Sequence, residues 1–209
     1  MRTNSYLLHE TDSHALVVVD PSIGADELFS RARQLVERGA HFEGIWNTHG
    51  HIDHIYDNAR WKAEFGAPIL AHAGDSYFFE HLREQSFWFG LDAPDTAPID
   101  GELFEGQTLQ IGKETVSVWH LPGHSPGSVA FLFNDFSLVG DVLFAHSIGR
   151  TDLPGGDSRV LADSLARLWT LPDATRILSG HGEETTIGRE RAQNTVAHNL
   201  LASKRGEVL

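Results

Sequence analysis

The 209-residue sequence contains no cysteine. Disulfides and thiolate metal sites are therefore excluded, and any bound metal must be held by nitrogen and oxygen donors. Long apolar runs are also missing. The longest, residues 15–19 and 129–133, are strand-sized and far too short to cross a bilayer, so no membrane partner is expected. Residues 1–10 have no basic patch followed by an apolar core and do not read as a secretory signal, which makes the cytoplasm the expected compartment. Cations are the third scarcity: 16 Lys and Arg face 29 Asp and Glu, for a net charge of −13. A field of that sign repels phosphate backbones. The cations are scattered, with Arg31/Arg33 and Lys204/Arg205 the nearest to clusters, so nucleic acid is not an expected partner.

What is present is an ordinary globular composition, 41% hydrophobic and 22% charged, which fits one compact domain over residues 1–209. Strand-like runs alternate with helix-like stretches. Residues 15–19 read as a buried strand stopped by Asp20-Pro21. Helical spacing of Leu28, Ala32, Leu35 and Val36 predicts a helix over 25–38, closed by Gly39. A short strand at 44–48, a helix at 55–65 and a strand from 69 follow. Strands are expected at 103–108, 115–120, 129–133 and 136–139, then a helix at 157–168, a strand at 176–178 and a last helix at 184–202. That order places helices on the outsides of sheets. Residues 86–98 read as a packed surface loop or as one wall of a pocket, and Phe87, Trp88 and Phe89 as core.

The chemistry concentrates in Thr48-His49-Gly50-His51-Ile52-Asp53-His54. An extended segment sends alternate side chains to one side, so His49 and His51 can clamp one ion, and a turn after Ile52 aims Asp53 and His54 at a neighbouring position. Gly50 is expected to keep a side chain from crowding the ions. His124 follows the strand ending at His120, Asp141 follows the strand at 136–139, and His181 follows the strand at 176–178. Four strand ends thus carry a potential ligand, and loops at one edge of a layered α/β core are where such groups converge. Seven nitrogen and oxygen donors are too many for one tetrahedral ion and suit two. His49, His51 and His124 would hold the first, Asp53, His54 and His181 the second, and Asp141 would bridge. Two such divalent ions, zinc first with iron or manganese as alternatives, can activate a shared water that Asp53 and Asp141 orient, which is metal-assisted hydrolysis.

These motifs (HGHIDH, PGHSPGS, GD and GHG, in that order over nearly the whole chain) resemble those of the metallo-β-lactamase-fold superfamily. The resemblance implies an αβ/βα sandwich, with two sheets face to face, helices outside and metals at one edge. It also implies that Asp20 supports the metal loop from behind the ligands. Through Ser147-Ile148-Gly149-Arg150-Thr151-Asp152 the chain looks most like short bacterial glyoxalase II-like hydrolases, which implies a glutathione-derived thioester such as S-D-lactoylglutathione as the small-molecule partner. Arg150 falls where glyoxalase II has a basic glutathione-binding residue, although a pair with Asp152 or Asp157 would also explain it. His146, between Asp141 and Arg150, is a second candidate substrate contact. Longer glyoxalase II enzymes add a C-terminal helical region with further basic residues, which residues 184–209 do not match. A persulfide dioxygenase of the same fold, with one iron on His49, His124 and Asp141, is the alternative function. A β-lactamase is disfavoured by the expected compartment, and a nuclease by the acidic charge.

Overall fold

The structure, a computed structural model, describes residues 2–204 and 206. Its first half carries β1 (Tyr6–Glu10), β2 (Ala15–Val19), α1 (Asp26–Glu37), β3 (His41–Trp46), α2 (Ile52–Ile55), α3 (Asn58–Phe65), β4 (Ile69–His72), α4 (Ser76–Glu80), α5 (Leu82–Phe89) and β5 (Gly101–Leu103). The second half carries β6 (Thr108–Ile111), β7 (Glu114–His120), β8 (Val129–Leu132), β9 (Phe136–Gly140), β10 (Leu143–Phe144), β11 (Ser147–Ile148), α6 (Ser158–Leu168), β12 (Arg176–Ser179), β13 (Thr185–Thr186), α7 (Ile187–Gln193) and α8 (Thr195–Lys204).

Strands β1 to β5 form one sheet in sequence order, parallel except for the β1–β2 hairpin. The other large sheet runs β13-β12-β9-β8-β7-β6, with β12 parallel to β9 and its other pairs antiparallel. Side-chain alternation sorts the core into layers. In β2, Ala15, Val17 and Val19 face the second sheet and meet Val116, Val118, Phe131 and Leu138, while Val18 faces Phe29, Ala32 and Trp61 of the helices. On the far side, Ala130, Val139 and Ile177 pack against Leu161, Leu165 and Leu168 of α6. Helices, sheet, sheet, helices: this is the four-layer αβ/βα sandwich. Burying each such leucine stabilises the fold by about 1.5–3 kcal/mol.

Several expected elements differ. Residues 103–108 are not one strand: Leu103 ends β5 in the first sheet and Thr108 begins β6 in the second, with a turn at Gly106 (φ 76°) between them. Leu103 is the only buried side chain of this run; Phe104 is 54% exposed and Thr108 is exposed, so no buried apolar face carries one strand through Gly106. The helix expected at 55–65 starts at Ile52 and is interrupted before Asn58. The last expected helix is β13, α7 and α8, broken at Asn194, whose buried amide donates to Ser147 O at 3.0 Å and Glu190 Oε2 at 2.9 Å. Residues 86–89 are helical, and Phe87 is 84% exposed rather than core. No helix among the described residues is long and apolar enough to cross a membrane.

Candidate metal centre

The loops after β3, β7, β9 and β12 gather His49, His51, Asp53, His54, His124, Asp141 and His181. Their donor atoms form two groups, His49/His51/His124 and Asp53/His54/His181, each lying within 4.8 Å of one another, and a third set at the same spacing, Asp20/His49/His54, overlaps both. Asp141 touches both. Its Oδ2 is 3.6 Å from His124 Nε2 and 3.3 Å from His181 Nε2, and its Oδ1 is 3.4 Å from His54 Nε2. Asp53 Oδ2 lies 3.2 Å from His181 Nε2 and 3.7 Å from His54 Nε2.

The surroundings turn the rings. Asp20 takes Thr48 N–H at 2.7 Å, the Thr48 hydroxyl at 2.6 Å and His54 Nδ1 at 3.0 Å. With its own hydrogen committed to Asp20, Thr48 Oγ1 accepts from His49 Nδ1 at 3.0 Å. Asp20 does this from a left-handed backbone (φ 51°), which aspartate tolerates better than most residues. Both its oxygens are engaged, so it supports the centre from behind rather than adding a donor. His124 Nδ1 donates to Arg150 O at 2.8 Å and His181 Nδ1 to Arg2 O at 2.7 Å. Four rings therefore present Nε2 inward. His51 is reversed, with Nδ1 2.8 Å from His124 Nε2.

Asp75, unremarked in the sequence although it too follows a strand end, joins the loops from the side. It accepts from Gly50 N and the Ser125 hydroxyl at 2.7 Å each and from Gly127 N at 2.6 Å. Gln85 of α5 accepts Ile52 N–H and donates to Gly50 O, clamping the same run. Gly50 itself has a different reason from the expected one: a Cβ there would press on Phe78 and Asp75, not on the ion positions. The crowding argument applies to Gly180 instead, where a Cβ would run into Asp141 Oδ1 and His54.

Burial and charge set the protonation states. Burial holds His49 well below the usual histidine range, pushes His51 down to about 3, and lowers His124. In the other group burial works the same way on His54, but Asp141, Asp20 and Asp53 outweigh it and raise it to about 9. Hydrogen bonds to Asp141 and Asp53 raise His181 to about 11. Burial alone would raise Asp53 and Asp141; their histidine neighbours reverse that and keep both ionised. Nε2 of His49 and His54 and Oδ1 of Asp141 are buried without any hydrogen-bond partner. Inward-facing, unpartnered nitrogen and oxygen donors at these spacings fit divalent cations.

Beside the centre lies a groove of about 380 Å³ lined by Phe89, Phe144, Ile148, Leu153, Arg2 and Arg150 together with the inward donors. Arg150 lines it while bound to Asp152 by two 2.7 Å hydrogen bonds. His146 is not among the lining residues. It sits at the β10–β11 turn with φ 61°, its N–H on Glu190 and its ring taking a bond from Arg189 at 3.0 Å. Its neighbours Phe144 and Ile148 reach the groove instead.

A layered αβ/βα core with clustered histidine and aspartate donors at one edge defines a class of metal-dependent hydrolase. The chain belongs to the metallo-β-lactamase superfamily, which residues 1–181 match. It is 36% identical over 197 residues to the hydroxyacylglutathione hydrolase GloC of Haemophilus influenzae, covering 91% of each chain. Among solved structures it is similar to the BLEG-1 B3 metallo-β-lactamase (36% identity, TM-score 0.83, covering 92% of this chain and 93% of that one). It is also similar to TTHA1623, solved in a di-iron-bound form (34% identity, TM-score 0.81, covering 93% and 94%).

Proposed function

We propose that the chain, acting as one domain over residues 1–209, is a dinuclear thioester hydrolase of the glyoxalase II type. The observation that carries this reading is the pair of donor groups sharing Asp141 beside a groove that is apolar along its walls and cationic at two points. His49, His51 and His124 would hold one ion, Asp53, His54 and His181 the other, and Asp141 both. Two bound divalent ions, zinc or iron, would supply an acidified water and a Lewis acid for the carbonyl oxygen. The chain's residues do the rest. Asp53 Oδ2, steadied by the Thr3 hydroxyl at 2.8 Å, and Asp141 Oδ2 are ionised acceptors that orient the attacking water toward the groove. Phe89, Phe144, Ile148 and Leu153 pack the acyl chain and exclude bulk water, and Arg150 contributes positive charge at the rim. The name of the Haemophilus relative supports a glutathione thioester as substrate.

Metal content per chain measured together with turnover of S-D-lactoylglutathione and simpler thioesters tests this reading. Two ions per chain and no thioester turnover would overturn it. One iron per chain with oxygen uptake on glutathione persulfide would select the dioxygenase alternative, which uses only His49, His124 and Asp141. The likeness to BLEG-1 favours a second hydrolytic reading, opening of a cyclic amide, and turnover of a chromogenic cephalosporin in preference to thioesters would select it.

A further inference from the structure

Arg2, Thr3 and Asn4 run beside the Asp53/His54/His181 group. Asn4 N–H donates to Gly180 O at 2.7 Å, and its side-chain amide donates to Ser179 O at 3.0 Å and Gly182 O at 2.9 Å. Thr3 pairs with His181 in an antiparallel bridge. The segment is thus bonded to the chain on both sides of His181, which fixes the backbone of Arg2; its carbonyl receives His181 Nδ1, and its side chain lines the groove. The other group repeats the arrangement through His124 Nδ1, the Arg150 carbonyl and the Arg150 side chain. Each group therefore has one histidine resting on the carbonyl of an arginine that faces the substrate space.

The two arginines differ in charge balance. Asp152 already holds the Arg150 guanidinium. The arginine ion pairs of the described residues engage Arg33, Arg60, Arg150, Arg167, Arg176 and Arg191, and none engages Arg2. In a chain of net charge −13, Arg2 is a groove-lining cation with no carboxylate paired to it among the described residues.

We propose that Arg2 is a specificity-determining residue that receives a carboxylate of the substrate. The inference rests on the thioesterase reading and narrows it to thioesters whose acyl or thiol half carries a carboxylate. Because the backbone of the same residue holds His181, the bound carboxylate is placed in register with the second donor group. A guanidinium presents a fork of donors that matches a carboxylate, and the apolar walls beside it suit the linker between that carboxylate and the scissile bond.

The test compares wild type with Arg2→Gln, which removes the charge and keeps the carbonyl. The substrates are S-D-lactoylglutathione, with two carboxylates on its thiol half, and the lactoyl thioester of N-acetylcysteamine, with none. The ratio of kcat/KM for the two is expected to fall about fivefold in the variant, through KM. Metal content should hold, Arg2→Lys should recover part of the ratio, and added salt should shrink the wild-type preference. Calorimetric titration with glutathione reads binding without turnover, and the Gln variant is expected to bind about fivefold more weakly. An active wild type whose ratio and glutathione affinity are unchanged by Arg2→Gln overturns the role of Arg2 and leaves thioester hydrolysis standing. A wild type inert on both thioesters overturns the thioesterase reading instead, and the glutathione titration then decides Arg2 alone.

Discussion

The His49/His51/His124 group and the Asp53/His54/His181 group meet at Asp141 yet differ in what sets their protonation. The first is buried, and burial keeps its histidines neutral with lone pairs available. The second is rich in carboxylates that hold protons on His54 and His181, and the His181 side chain is 31% exposed. Burial organises the first group; the second would have to exchange protons for an ion and depends on residues 2–4 for its outer edge. Two sites a few ångströms apart should therefore load with different pH dependence and respond differently to the same kind of substitution.

The substitution that should erase the contrast is Asp141→Asn. It removes the carboxylate common to both groups, and turnover is expected to fall about a thousandfold with loss of metal from both. Full retention of one ion would assign Asp141 to the other group alone. His181→Ala should sharpen the contrast instead, leaving one ion per chain on the buried group and lowering turnover about a hundredfold. Metal analysis beside kinetics distinguishes the two variants.

Acidity should separate the groups in the wild type. Below about pH 9 both His54 and His181 carry protons that an incoming cation must displace, so affinity at the second group should fall by up to about a hundredfold per pH unit. The neutral first group should hold its ion until well below pH 6.5. Metal content after dialysis across pH 5–9 checks this, and simultaneous loss of both ions would remove the distinction. Thr3→Val, which deletes the hydroxyl on Asp53, should weaken the second ion about tenfold and leave the first unaffected.

The smallest effect is on the chelated protein. Stability contributed by His54 and His181 is complete below pH 6.5 and is lost as pH rises through about 9 to 11, because their folded values are raised. That contributed by His51 is complete above pH 6.5 and is lost as pH falls toward about 3. The unfolding midpoint of the metal-free protein should therefore fall on both sides of a maximum near neutrality.

Much of the architecture could be read from spacing, because buried strands and amphipathic helices leave local periodicities. Residues 15–19, 26–37 and 158–168 show this well. The donor side chains that gather at one edge were visible for a similar reason: each follows a strand, and strands running the same way end together. At 103–108 a short segment serves two sheets, and the turn at Gly106 that separates them leaves too few residues on either side for a period to show the break. Asp75 could have been flagged by the strand-end argument, since it lies just beyond β4. Thr3 and Asn4 carried no signal, since they precede β1 and their side-chain partners are 50 and more residues away.

By itself, the sequence determined the chemistry available: no thiols, an acidic surface, and histidines and aspartates at strand ends, because donor type and local period are properties of short segments. Only the tertiary structure decided which of those donors are held neutral and which protonated, and that Arg2 rather than His146 faces the groove. Those outcomes depend on burial and on charges brought together from distant parts of the chain, and neither exists until the sheets have packed.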